Sequence, residues 1–188
     1  MWKLLRENRD IRLLFIAQVI SYLGDWFTFV ALAGLVEDAT GSKFLVSLVM
    51  VTFSLPSFLA SPIAGPTADR YDRKKVLVVV SCFQAIAAFG LITAGDSRIW
   101  MVFLFQSSIS ALAAFVGPAS GAALPNLARN PEELTKANSL LGATWGIMLA
   151  VGAGIGGLFS QAFGRTAAFV VNGISFLIAA ALFAAIQT

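Results

Sequence analysis

Gly65-Pro66-Thr67-Ala68-Asp69-Arg70-Tyr71-Asp72-Arg73-Lys74-Lys75 is a short charged stretch between two long apolar ones, Phe44–Gly65 and Val76–Ala94. Its ionised side chains are costly to bury in hydrocarbon, whereas a helix of roughly 20 apolar residues is what crosses it. The arrangement predicts two membrane spans joined by a loop on one side. Moving outward, the same alternation recurs, and six spans follow: about Leu13–Val36, Phe44–Gly65, Val76–Ala94, Ile99–Ala122, Leu140–Phe163 and Thr166–Ile186. The separators are Glu37 to Lys43, Pro66 to Lys75, Gly95 to Arg98, Ala123 to Ser139 and the turn Gly164-Arg165. Connections this short make successive helices antiparallel neighbours. The sequence thus predicts an all-α polytopic membrane protein, with a cytoplasmic segment over 1–12 and a six-helix transmembrane domain over 13–188.

Composition agrees. Of 188 residues, 58% are hydrophobic and 12% charged, and a soluble domain carries about twice that share of charge. The absence of histidine excludes Ser-His triads and HExxH zinc sites. Cys82 is the single cysteine, so neither an internal disulfide nor a cysteine-rich metal site can form. One intramembrane carboxylate cannot make an aspartyl dyad, and no Gly-x-Ser-x-Gly turn is present. No catalytic residue, metal or cofactor is expected. A net charge of +3 is small for a nucleic-acid partner, and no filter-like sequence or ring of charge suggests a channel.

Orientation follows from the basic residues of alternate loops. Lys3, Arg6, Arg9, Arg12, Arg70, Arg73, Lys74, Lys75, Arg129 and Lys136 fall on one side, and Lys43, Arg98 and Arg165 on the other. Ten against three places both termini in the cytoplasm of a multi-pass protein of the plasma or inner membrane. The first apolar run is long, contains Asp25 and lacks a small-residue cleavage pattern, so it reads as a permanent helix and not as a signal peptide. Trp2 and Trp100 fall near the interfaces, while Trp26 and Trp145 lie inside spans and read first as packing residues.

Asp25 is the one charge within a span, twelve residues beyond Leu13 and so about 18 Å along the helix, near the bilayer midplane. A carboxylate kept there despite a cost of about 2.5–3.5 kcal/mol marks a functional site. Gln18, Ser21, Tyr22, Asp25 and Thr28 recur at spacings of three and four, forming one polar stripe on the first span. The stripe is expected to handle substrate or protons, with structural hydrogen bonding as the alternative. Gln106 and Ser110 make a second polar line on the fourth span, readable equally as interhelical glue. Gln84 and Asn172 are isolated and read as packing contacts. On the fifth span Gly142, Gly146, Gly152, Gly154, Gly156 and Gly157 allow close approach of another helix; Gly152, Gly156 and Gly157 are candidates for a moving interface. Asn130-Pro131 with Glu133 predicts an N-cap, a first helical residue and a capping-box acid opening a short cytoplasmic helix.

Gly65, Asp69, Arg70, Arg73 and Lys74 resemble the loop signature of the major facilitator superfamily, G-x-L-x-D-R-x-G-R-R/K, with Thr67 where Leu is usual and Asp72 where Gly is usual. Asn8-Arg-Asp-Ile-Arg-Leu-Leu-Phe15-Ile-Ala-Gln18, Leu23-Gly24-Asp25-Trp26, Gly117-Pro118, Leu124-Pro-Asn-Leu and Ala137-Asn-Ser-Leu140 are similar to stretches of macrolide and multidrug exporters in one branch. Where such exporters often carry an arginine in the fourth helix this chain has Gln106, and the fifth-helix motif lacks its proline.

The resemblance implies the amino-terminal half of a twelve-helix fold built from inverted three-helix repeats. It implies that the first and fourth helices line a cavity, that the second and fifth face the other half, and that the third and sixth face lipid. In this family the loop carboxylate, here Asp69, pairs across to the opposite half, supported by Arg70 and Arg73. The expected function is export of small amphipathic molecules or drugs by alternating access, with or without proton coupling. Its partners would be the bilayer, the substrate, protons and a second six-helix half or another copy. The alternative is a non-transporting six-helix interaction protein that regulates a full-length carrier.

Overall fold

Caps, more than hydropathy, set the helix ends in the computed structural model, which describes residues 1–94 and 98–187. The described chain is all-α: α1 (Trp2–Glu7), α2 (Arg9–Thr40), α3 (Lys43–Arg70), α4 (Arg73–Gly90, continued by a 3-10 turn Leu91–Thr93), α5 (Trp100–Ala113), α6 (Val116–Leu127), α7 (Pro131–Phe163) and α8 (Arg165–Ala184). Among the described residues six stretches are long and apolar enough to cross a membrane: α2, α3, α4 with its 3-10 turn, α5 with α6, α7 and α8. Each overlaps one of the six apolar runs read from the sequence.

The helices run past those apolar runs, so the expected separators shrink. Glu37–Lys43 becomes the two residues Gly41-Ser42: Gly41 takes φ +62°, a left-handed conformation that ends α2, and the Ser42 hydroxyl accepts the Leu45 N–H at 3.4 Å to start α3. Pro66–Lys75 becomes Tyr71-Asp72, where Asp72 caps α4 by accepting the Lys75 N–H at 2.8 Å. That is work a glycine at this position could not do. Ala123–Ser139 becomes Ala128–Asn130, and the short helix expected at Pro131 is the opening of the 33-residue α7. Segment 1–12 holds α1 and the first turn of α2. Of the loop expected at Gly95–Arg98, residues 95–97 lie outside the described residues.

Prolines do not break α3. Pro62 cannot serve the carbonyl of Phe58 four residues back, and the Ser61 hydroxyl donates to that oxygen at 2.7 Å instead. Packing then assembles the bundle: α2 lies against α7 and α8, α4 against α8, and α3 against α5. Two apolar clusters result. One gathers Leu14, Leu77, Leu124 and Phe183 toward the basic end; the other gathers Leu32, Leu91, Val102 and Phe169 toward the opposite end.

At the basic end the N-terminus is tied to the start of α7. Asn8 Nδ2 donates to Leu127 O at 2.8 Å and Glu133 Oε2 at 3.1 Å, and the Arg129 guanidinium donates to Glu7 O at 2.6 Å. Asn130 Oδ1 accepts the Glu133 N–H at 2.9 Å, as the capping pattern predicts. Glu133 reaches one residue further back than a capping box requires, accepting the N–H of Arg129 at 3.0 Å. That hydrogen bond, with Asn8 and the nearby cations, holds the Glu133 carboxyl below its ordinary range. A lowered folded value stabilises above the ordinary carboxylate range and loses that contribution as pH falls through the folded value. Thermal unfolding in detergent should therefore show Asn130→Ala less stable by ~1 kcal/mol. Glu133→Gln should flatten the acid-side loss of stability seen in the parent chain.

Candidate functional site

Between the two apolar clusters lies a layer of polar side chains. Gln18, Ser21, Tyr22 and Asp25 of α2 meet Ser81 and Gln84 of α4 around a cavity of about 20 Å³, room for a single water. On its other side Asp25, with Tyr22 and Trp26, borders a larger cavity of about 570 Å³. Its remaining walls are Phe53 and Ser57 of α3, Gln106 and Ser110 of α5, and Trp145 and Leu149 of α7. Four spans therefore line the cavity: the first and fourth, as the resemblance implies, and also the second and fifth. Trp26 and Trp145, read first as packing residues, are cavity walls.

Asp25 is held from behind by a residue the sequence left isolated. Asn172 of α8 is fully buried; its Nδ2 donates to Thr28 Oγ1 at 2.8 Å and to Asp25 Oδ1 at 3.4 Å. The Ser175 hydroxyl donates to the Asn172 backbone O at 2.7 Å and lies 3.1 Å from Asn172 Oδ1. Gly24 makes this approach possible, because a Cβ there would stand 2.4 Å from both Asn172 Oδ1 and Ser175 Oγ. The polar character of Asn172 was visible within its apolar run. Its partner, 147 residues away in sequence, was not.

The other expected residues divide. Gln18 Nε2 donates to Ser120 Oγ at 2.8 Å, joining the first and fourth spans. Ser110 Oγ donates to Phe53 O at 2.7 Å, joining the fourth and second. Thr28 does not line either cavity and instead turns to Asn172. Gln84 Nε2 donates to Ile109 O at 3.3 Å, so it packs as read while also bordering the small cavity. Gln106 is 1% exposed, and its Oε1 has no hydrogen-bond partner among the described residues. No basic side chain pairs with Asp25 among the described residues.

Glycines of α7 face two ways. A Cβ at Gly152 would stand 2.9 Å from the Trp26 side chain, and one at Gly156 would stand 3.1 Å from Phe27 Cα and Trp26 O. This pair is what lets α7 lie directly on α2. Gly157 has Val30 Cγ1 as its neighbour at 3.9 Å, while Gly142, Gly146 and Gly154 have nothing within 4 Å. In the 65–75 loop, Gly65 is inside α3 with open space around it, and Lys74 Nζ donates to Ile186 O at 2.7 Å just past α8. The Asp69 carboxylate is exposed and makes no ion pair or hydrogen bond among the described residues.

Six apolar helices, a charged loop of this spacing and a mid-bundle carboxylate point one way, and comparison with known proteins decides it. The sequence profile of the Major Facilitator Superfamily matches residues 14–187. The chain belongs to the major facilitator superfamily. Its members are membrane transporters and not enzymes, which places this chain among multi-pass membrane proteins. Among superfamily relatives, it is 28% identical over 181 residues to YfiS of Bacillus subtilis, an uncharacterised transporter of this type, covering 95% of this chain and 42% of YfiS. It is 28% identical over 182 residues to the multidrug efflux pump Tap of Mycobacterium tuberculosis, covering 93% and 43%. To BacE of B. subtilis, a putative bacilysin exporter, it is 27% identical over 164 residues, covering 87% and 40%. The chain thus spans about two fifths of the length of the relatives it matches.

Proposed function

We propose that this chain is one six-helix half of a secondary exporter, working by alternating access against a second six-helix half or a second copy. The observation that carries the reading is the cavity of about 570 Å³ bordered by Asp25. A carboxylate there has no cation beside it among the described residues, and it lies where the two apolar clusters give way to one another. Exposure supports a missing partner: only 11% and 17% of the apolar windows of α3 and α7 are buried, against 44% and 50% for the third and sixth spans. Rocking transport needs two bodies around one site, and this chain supplies one wall.

The chemistry of the wall favours an amphipathic cation. Asp25 is an acceptor that borders the cavity, and Trp26, Trp145 and Tyr22 beside it are aromatic residues of the kind that receive a positive charge. Efflux by the pump Tap, a relative, supports an outward direction. Under the ten-to-three basic bias both termini are cytoplasmic. The test is uptake of an organic cation into inverted proteoliposomes, with and without a proton uncoupler, by this chain alone and by a chain carrying a second six-helix half. Transport should require the second half or self-association; robust transport by the monomeric 188-residue chain would overturn the reading.

Asp69 belongs to the same reading. Exposed and without a partner among the described residues, it is the group available to hold the cytoplasmic side shut against the other half. In a chain with both halves and Cys82 replaced, Asp69→Ala should raise thiol labelling of a cysteine placed at Ser57 from the cytoplasmic side. Unchanged labelling would leave the loop a topology signal alone.

A further inference from the structure

An exposed side of the third span carries a second recess, whose lining does not include Asp25. Val76, Val79 and Phe83 recur at three and four along one face of α4 and form one wall; Thr67 and Tyr71 at the end of α3 form the other. Leu112 and Phe115 floor it, at the place where the fourth span is interrupted between α5 and α6. Its volume is about 390 Å³ and its surface is apolar throughout. Val79 and Phe83 stay 50% and 56% exposed, so no part of the described chain covers it. From Lys75 to Phe83 the recess descends ~12 Å along the helix into the bilayer, at 1.5 Å per residue.

Charge is confined to its mouth. Lys75 borders the recess and is exposed, and a long aliphatic stem lets its ammonium reach water. The Arg70 guanidinium carbon lies 5.9 Å from the centre of the Tyr71 ring on the opposite rim. Within the loop Lys74 is occupied by Ile186 O and Asp72 by the Lys75 N–H. Lys75 and Arg70 are exposed and make no ion pair or side-chain hydrogen bond among the described residues. Asp69 is the one exposed acid without a partner nearby, and the segment Asp69–Lys75 keeps an excess of two positive charges.

We propose that this recess binds an anionic glycerophospholipid, with an acyl chain along Val76, Val79 and Phe83 and the phosphate between Lys75 and Arg70. Neither part suffices alone: an apolar groove accepts any chain, and a basic loop attracts any anion. Stacked ~12 Å deep at the interface, they match one molecule that has a single negative phosphodiester above a hydrocarbon tail. Asp25 is not among the residues that line the recess, and lipid retention is read without any transport step.

The experiment reconstitutes the 188-residue chain in nanodiscs of phosphatidylglycerol and phosphatidylcholine in equal parts, and measures retained lipid by native mass spectrometry. Phosphatidylglycerol should be retained in preference. Lys75→Ala should lower that preference about 5-fold, the effect of the ~1 kcal/mol that one basic residue contributes beside anionic lipid. Val79→Trp fills the recess from an exposed position without changing charge, and should lower phosphatidylglycerol retention as much while helicity is unchanged. Arg6→Ala, at the same basic end but outside the recess, should leave retention as it was. Equal retention of the two lipids, a loss in Arg6→Ala matching that in Lys75→Ala, or no effect of Val79→Trp would each overturn the proposal. So would a dimer of this chain that Val79→Trp dissociates, since the recess would then be a contact between copies.

Discussion

Replacing Asp25 with Asn is expected to abolish export of a cationic substrate by the complete transporter while leaving the chain inserted and folded. The substitution is nearly isosteric, and the new amide oxygen can still accept from Asn172 Nδ2, so the contact between the first and sixth spans survives. Insertion becomes easier, because a neutral amide replaces a charge at mid-membrane. What disappears is the negative charge facing the cavity of about 570 Å³. Losing one partner of a desolvated charge pair costs ~2 kcal/mol or more, which is about a 30-fold weaker substrate affinity. Binding of a fluorescent organic cation measures that directly, and its transport against a pH gradient measures coupling. Asp25→Glu should retain binding. Unchanged transport and pH response in Asp25→Asn would remove Asp25 from the mechanism.

Gly156→Leu should be the most disruptive single substitution on the fifth span. Its Cβ would stand 3.1 Å from the backbone of Trp26 and Phe27, and backbone atoms of a long helix cannot step aside as a side chain can. Overpacking of this kind costs about 1–3 kcal/mol, and here it also moves Trp26, a wall of the Asp25 cavity. The expected result is a lower melting temperature in detergent together with loss of cation binding. Gly154→Leu is the informative comparison, since nothing lies within 4 Å of that position. It should melt as the parent chain does, yet lose transport in a chain carrying both halves if this open face meets the second half. Equal melting of Gly156→Leu and the parent would mean that α7 does not need its close seat on α2.

These two glycines show why part of the site was illegible beforehand. The sequence displayed a row of small residues on one helix, which says that some helix can approach but not which glycine meets it. Gly156 and Gly154 look alike in one dimension; only the rotation of α7 against α2 puts one on a backbone and the other in open space. Asn172 makes the same point from the other side. A lone amide in an apolar run is equally a packing residue or a ligand holder, and the answer depends on Gly24 letting α8 come close enough for the amide to reach Asp25 and Thr28. Thr28 shared the spacing of the polar stripe and still turned out to face α8, because the stripe is wider than the cavity it borders.

Helix ends divide along the same line. Hydropathy located each span, since the bilayer selects for length and apolarity over some 20 residues. It could not place the ends, because backbone groups outside the hydrocarbon are satisfied by whichever cap is available, and Gly41, Asp72 and Asn130 supply caps well beyond the apolar runs. The sequence by itself determined the all-helical class, the six helices long and apolar enough to cross a membrane, the end where basic residues gather and the carboxylate set within an apolar run, because each rests on the cost of a charge or an unpaired amide in hydrocarbon. Tertiary structure alone decided which four spans enclose the cavity and which residue steadies Asp25. It also decided which glycines are closed contacts, because these depend on how the helices rotate and pack against one another.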